Sequence, residues 1–452
     1  MTEGVIWKQL VQFSIPLAIG LLFQQLYNTV DAVVVGRFVS KQALAAVGST
    51  GSIINMLVGL CAGLSTGASV VISQAFGTHD DKALHDSVHT TIALTFVMGL
   101  VTTGLGIVIV PPMLRLMDTP ADVFESARTY LTIYFAGISG LLVYNMGSGI
   151  LRAVGDSLHP LYFLVFSALT NIVFDLVFVL VFHLGVAGVA YATILSQFLS
   201  AILVMWTLCR TDAPYGVHLK ELAVNRGMLK RIFLIGAPSA LQQAITAFSN
   251  VFVQGYINAF GSNCMAGWSS YNKLDVFILI PVMSISMAST TFVGQCFGAG
   301  KLRRAHDGVK NAMWMSLVIT ALCSAALIAF DRPMLMLFNT DPEVIRYGAL
   351  FISYIGPFYV TICFNQIYAG ALRGVGKSVT PTIIMLCSFV VFRQIYLYVF
   401  RHLGMGFVPV ALAYPVGWVL CSLLMTVSYR RSVLCRLPED APEFPVPAAA
   451  AK

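Results

Sequence analysis

The chain has 452 residues, of which 58% are hydrophobic and only 10% charged. A soluble domain carries about 25% charged residues, so this composition excludes a water-facing globule of ordinary kind. The net charge of +7 comes from basic residues spread over several loops, which argues against nucleic-acid binding, and the nine scattered cysteines hold no C-x-x-C pair, no disulfide framework and no metal motif.

Apolar segments follow one another along the whole chain. Each is near or above the roughly 20 residues needed to cross a bilayer. The pattern places twelve spans near 10–36, 50–75, 89–110, 127–150, 161–183, 187–209, 231–259, 268–297, 311–330, 344–370, 379–400 and 407–429. Several are longer than a crossing requires, which implies tilt, kinks or extension beyond the bilayer. No basic start precedes a short apolar core and a small-residue cleavage site, so the first span is expected to stay as an uncleaved anchor. An even number of spans puts both termini on one side. Most of the 27 Lys and Arg fall on that side, including the run from Arg210 to Arg231, and the positive-inside rule then places both termini in the cytoplasm.

The first span carries Pro16, then Gln24, Asn28 and Asp31 at helical spacing. These three form one polar stripe on an apolar helix, and such a stripe looks inward, away from lipid. Pro16 removes one backbone hydrogen bond and permits a kink. The fifth span reads NIVFDLVFVLVF, with Asn171 and Asp175 on one face, four residues apart. A charged side chain at a helix centre costs about 2.5–3.5 kcal/mol and is functional by default. In such apolar surroundings a carboxyl is suited to bind and release a proton, or, with further oxygens, to hold a hard cation such as Na+. The seventh span keeps a stripe of Gln243, Thr246, Asn250 and Gln254 without an acid. Asp275 is early in the eighth span, two residues after Lys273, a spacing that does not pair them on a helix. Arg393 of the eleventh span is its candidate partner; a charge lining a cavity is the alternative.

The chain repeats itself at one offset in its polar loops. His85, Asp86 and Val88 recur as His306, Asp307 and Val309, and LRAVGDSLHP (Leu151–Pro160) recurs as LRGVGKSVTP (Leu372–Pro381). Six spans per half make the halves parallel, related by an axis along the membrane normal. The expected fold is an all-α polytopic membrane protein of twelve transmembrane helices in two six-helix bundles with pseudo-two-fold symmetry. The bundles are 1–209 and 231–430, joined by a cytoplasmic loop 210–230 and followed by a disordered tail 431–452. Two such bundles suit alternating access, although duplicated halves also build channels. The repeat places Tyr396 opposite Asp175 and Val253 opposite Asp31. The acids are thus peculiar to the N-terminal half, which is where a coupling ion is expected, leaving the C-terminal half to line a substrate path.

These features together resemble the multidrug and toxic compound extrusion (MATE) family. The likeness runs over nearly the full chain and is carried by IPLAIGLLFQQLYNTVDAVVVGRF, by SVVISQAFG paired with TTFVGQCFG, by NIVFDLVF, and by LRAVGDS paired with LRGVGKS. The resemblance implies an inner-membrane secondary antiporter that expels small cationic or amphipathic compounds in exchange for H+ or Na+, without a cofactor. It also implies an ion site of Asp31, Asn171 and Asp175 with Asn145 and Thr193, and bending of the first helix at Pro16. Gln24, Asn28, Gln243, Asn250, Asp275 and Arg393 are the expected substrate-path residues. No metal is implied beyond Na+ at the Asp31/Asp175 site, and a monomer is the default. One departure stands out. Other members carry acids in the seventh and tenth helices, whereas ALQQAITAFSNVFVQGYI and YIGPFYVTICFNQIYAGAL hold none.

The alternative is a flippase for a lipid-linked anion. A pyrophosphate headgroup calls for several cavity Arg or Lys; only Lys273 and Arg393 are at membrane depth, against three acids. A channel would require a filter or a charged ring, which the sequence lacks. No serine elbow, phosphate loop or metal cluster marks an enzyme, and His79, His85 and His89 read as a solvated loop face.

Overall fold

The computed structural model describes residues 1–39, 41–116, 119–404 and 406–436, and among these the regular structure is helical throughout. In chain order the helices are α1 (Ile6–Phe38), α2 (Lys41–Gly77), α3 (Asp81–Leu116), α4 (Ala121–Ala153), α5 (Leu158–Leu176), α6 (Gly185–Arg210), α7 (Arg226–Asn258) and α8 (Ser262–Gly298). They continue with α9 (Leu302–Ala329), α10 (Asp331–Met336), α11 (Pro342–Ile355), α12 (Tyr359–Gly374), α13 (Val379–Leu386), α14 (Arg393–His402) and α15 (Phe407–Arg430). A 3-10 turn at Gly356–Phe358 joins α11 to α12, and a π-helical stretch at Cys387–Phe392 joins α13 to α14. With these junctions the described chain has 12 helical segments long and apolar enough to span a membrane.

The helices overrun the apolar windows at their polar ends. α3 begins at Asp81 and α9 at Leu302, each about two turns before the apolar run. Such turns are legible as helix only by their caps. Asp80 is such a cap for α3, its side chain accepting from the Ala83 amide at 3.0 Å.

Contacts divide the chain into two compact units, Ile19–Gly236 and Met1–Ala18 together with the residues from Ala237 onward. The boundaries fall inside α1 and α7, two residues from Pro16 and two from Pro238, and not in the connecting loop. In the first unit α7 begins against α2: a Cβ on Gly67 would stand 2.5 Å from the Gly236 amide nitrogen, so only glycine admits this approach. In the second, Leu10, Phe13 and Leu17 belong to one buried apolar cluster with Val253, Ile257, Phe292 and Phe351. Ser432 and Leu434 are buried in that unit as well; residues 437–452 of the expected tail lie outside the described residues.

The sequence repeat has a structural counterpart within each unit. α4 ends on Gly155 at φ 100° and α12 on Gly376 at φ 85°. In both, the next residue's amide returns to the same carbonyl: Asp156 to Leu151 and Lys377 to Leu372, each at 2.9 Å. This is the helix-ending turn that needs a left-handed residue, and it explains why glycine recurs in LRAVGDS and LRGVGKS. Likewise Ser65 Oγ donates to the Asn145 carbonyl at 2.9 Å, and Ser286 Oγ to the Gln366 carbonyl at 2.8 Å.

Candidate functional site

In unit Ile19–Gly236, α1 and α5 bring two acids together. Asp31 is 9% exposed and Asp175 fully buried, and their carboxyls lie within hydrogen-bonding reach of one another. No other group donates to either Asp175 oxygen or to Asp31 Oδ1. One turn before Asp175, Asn171 is also buried, and both its side-chain Oδ1 and Nδ2 are without partners. Buried polar atoms are ordinarily satisfied, so this cluster is built around something it does not itself supply. A proton held between the carboxyls, or a small cation among their oxygens, meets that need.

Local backbone helps to place Asp175. Directly after α5 the chain widens into a π-helical stretch, Val177–Val181, where the Phe182 amide reaches the Val177 carbonyl at 3.1 Å. Such stretches often mark functional positions in helices.

The other expected ion-site residues each have a hydrogen-bond partner on their own helix. Thr193 is buried, its hydroxyl donating to the Val189 carbonyl at 2.9 Å. Asn145 uses its Nδ2 on the Leu141 carbonyl at 2.9 Å, while its own carbonyl accepts from Ser65. Three residues that sequence reasoning passed over stand nearby. Tyr130, on α4, lies within electrostatic reach of both acids; it stacks with Tyr134 at 6.3 Å, and Tyr134 in turn lies near Gln197 of α6, whose buried Oε1 has no partner. The available signal was helical spacing: Tyr130 with Tyr134, and Thr193 with Gln197, are each four apart. On α1, Gln24 is half-buried and Asn28 exposed, while Asp31 of the same stripe is buried.

In the second unit Gln243 and Asn250 lie on the exposed side of α7. Asp275 and Arg393 do not pair. One Asp275 oxygen accepts from the hydroxyls of Tyr271, at 3.3 Å, and Tyr359. Arg393 donates to Ser249 Oγ at 2.9 Å and Asn250 Oδ1 at 2.8 Å, and its guanidinium stands 4.8 Å above the Tyr414 ring. Two tyrosines satisfy the acid at closer quarters than an arginine from another helix.

Near the start of α3 one of the three histidines also departs from expectation, while His79 is exposed as expected. His89 is 1% exposed and so is not a solvated face. Its ring stacks on His85 at 3.8 Å; its Nδ1 bonds the His85 carbonyl at 2.9 Å; its Nε2 accepts from the His218 amide at 3.1 Å. His85 Nε2 lies 3.2 Å from Glu221. The ligating atoms of His85, His89 and Glu221 fall within 4.8 Å of one another. With both His89 nitrogens in use, however, the cluster as it stands is a tether that holds the segment between α6 and α7 against α3.

Among the described residues, twelve helical segments long and apolar enough to span a membrane define a polytopic membrane protein. The MatE family model matches residues 16–177 and again 238–399, two stretches opening at Pro16 and Pro238. The chain belongs to this family: it is a transporter and not an enzyme. It is 27% identical over 393 residues to the probable multidrug resistance protein YpnP of Bacillus subtilis, covering 87% of this chain and 88% of that one. To YoeA of the same organism, also a probable multidrug resistance protein, it is 26% identical over 436 residues, covering 95% and 94%. Its fold matches that of a MOP superfamily transporter from Pyrococcus furiosus with a TM-score of 0.89 at 24% identity, covering 94% of this chain and 96% of that one. The flippase alternative finds no support in these matches.

Proposed function

We propose that this transporter is a secondary antiporter that exports cationic or amphipathic organic compounds in exchange for H+ or Na+. The observation that carries the reading is the buried Asp31–Asp175 pair with Asn171 beside it and its polar atoms unpartnered. Two carboxylates so close repel each other when both are charged. Taking up a proton or cation relieves the repulsion, and losing it restores a site with affinity for a positive group. Thr193 and Asn145 complete the ion site in this account, Pro16 is the bend of α1, and Gln24, Asn28, Gln243, Asn250, Asp275 and Arg393 line the substrate path. The multidrug resistance names of the Bacillus relatives favour organic compounds as cargo. The basic loops favour the cytoplasmic membrane, with both termini inside, and the protein acts as a monomer.

The test is uptake and release of a fluorescent organic cation in proteoliposomes, with an imposed pH gradient and an imposed Na+ gradient applied separately. Movement against the cation's own gradient under one of them supports antiport and names the ion. Movement only down the cation's gradient, indifferent to both ions, rejects it.

A further inference from the structure

We propose that Arg393 is an oxyanion-binding residue, so that the compounds exported best carry a carboxylate or a phosphate besides any positive charge. The proposal rests on the exporter reading above and specifies its substrate class. Arg393 opens α14 directly after the π-helical stretch Cys387–Phe392, near the middle of the eleventh span. It is 4% exposed, and among the described residues no carboxylate comes within ion-pair distance of it. A buried cation without a counter-charge is expensive, and within a membrane span it marks a functional position.

What surrounds the guanidinium is neutral and incomplete. Its contacts are Ser249 Oγ, Asn250 Oδ1 and the face of Tyr414; its Nε–H has no acceptor. Gln394 reinforces the cradle by donating to the same Ser249 hydroxyl at 3.0 Å. One turn earlier on α7, on the face of Asn250, the Thr246 hydroxyl is buried and also unpartnered. Asn250 itself is on the exposed side of the helix. Exposed amides at membrane depth face water and not lipid, so the cover over Arg393 opens toward an aqueous route. Asp275 makes no ion pair with the guanidinium; its bonded oxygen accepts from the Tyr271 and Tyr359 hydroxyls instead. An oxyanion would take the orphaned Nε–H, replace or join Asn250 on the guanidinium, and accept from Thr246. Guanidinium with carboxylate or phosphate makes the strong, charge-assisted form of this contact.

The probes are a rhodamine bearing a free carboxylate and its ethyl ester, which differ in that one group. Their Kd values are measured by fluorescence anisotropy on the purified full chain in detergent. The wild type is expected to bind the acid about tenfold or more tightly than the ester, the worth of one charge-assisted contact. In Arg393→Gln the ratio should fall to about one, and in Arg393→Lys an intermediate preference should remain. A measurement that needs no variant is competition in the wild type. Acetate or inorganic phosphate should weaken binding of the acid and leave the ester unaffected, and the more effective of the two identifies the oxyanion. An acid-to-ester ratio near one in the wild type, a ratio unchanged in folded Arg393→Gln, or indifference of the acid to both anions overturns the proposal. Gradient-driven export of the ester would meanwhile uphold the exporter reading, so the two failures are told apart.

Discussion

The carboxyls of Asp31 on α1 and Asp175 on α5 face each other in a buried setting, and no other group donates to the Asp175 oxygens. Residues that act as one unit give non-additive losses. Asp31→Asn and Asp175→Asn should each reduce gradient-driven export at least about tenfold, which is about 1.4 kcal/mol in the barrier. The double variant should be little worse than either alone. Initial rates in proteoliposomes check this; losses that multiply would assign the two acids to separate tasks.

Tyr359 and Tyr271 donate to one oxygen of Asp275, and their hydroxyls lie 2.7 Å apart. Tyr359→Phe leaves that oxygen with a single donor, and a lost bond to a buried charged group costs about 1–3 kcal/mol. A lower melting temperature in detergent is expected, with Asp275→Asn in the same background recovering part of the loss. No recovery would mean that Tyr359 acts through packing alone.

Gly67 tests the seat of α7. An added methyl meets Gly236 N at 2.5 Å and the Ile232 carbonyl at 2.6 Å, backbone atoms that cannot rotate away. Gly67→Ala should destabilise by about 1–3 kcal/mol through overpacking. Gly104→Ala, with nothing within 4 Å of the new atom, should be neutral or slightly stabilising, because alanine favours the helix. Thermal unfolding of the two variants makes the comparison.

The His89 tether is sensitive to acid. With Nδ1 on the His85 carbonyl, Nε2 accepts from the His218 amide only when the imidazole is neutral. Protonation places a second N–H against that amide. Burial disfavours the charged imidazole and holds His89 below the ordinary histidine range, so the contact is present at neutral pH and lost only once acid protonates the ring. Protease cleavage between residues 211 and 225 should rise at low pH in the wild type and be high at every pH in His89→Ala. Equal cleavage of wild type and variant at pH 7.5 would contradict the tether.

Much of this was legible in the sequence because a bilayer admits few solutions. Spans announce themselves by apolar length, and their carboxylates by rarity; Asp31, Asn171 and Asp175 were readable for that reason. Recurrence of LRAVGDS as LRGVGKS gave the halves, and a left-handed glycine explains it. Pairings across the fold were not legible. Asp275 finds Tyr359, 84 residues away, and Arg393 finds Asn250, 143 away; no spacing rule relates them, and opposite charge suggested the wrong couple. Tyr130 and Gln197 were missed because one aromatic or one amide in a span looks like ordinary packing. The π-helical stretches beside Asp175 and Arg393 leave no mark in the pattern, since one extra residue in a turn alters no composition.

The central claim is that Asp175 carries the coupling ion. Its most direct test is export of a fluorescent organic cation from proteoliposomes under whichever ion gradient drives the wild type, with Asp175→Asn reconstituted in parallel at equal density. The account predicts that the variant folds, since an amide removes a buried like charge, and that it no longer exports against the cation's gradient. A folded Asp175→Asn that exports at the wild-type rate would contradict it.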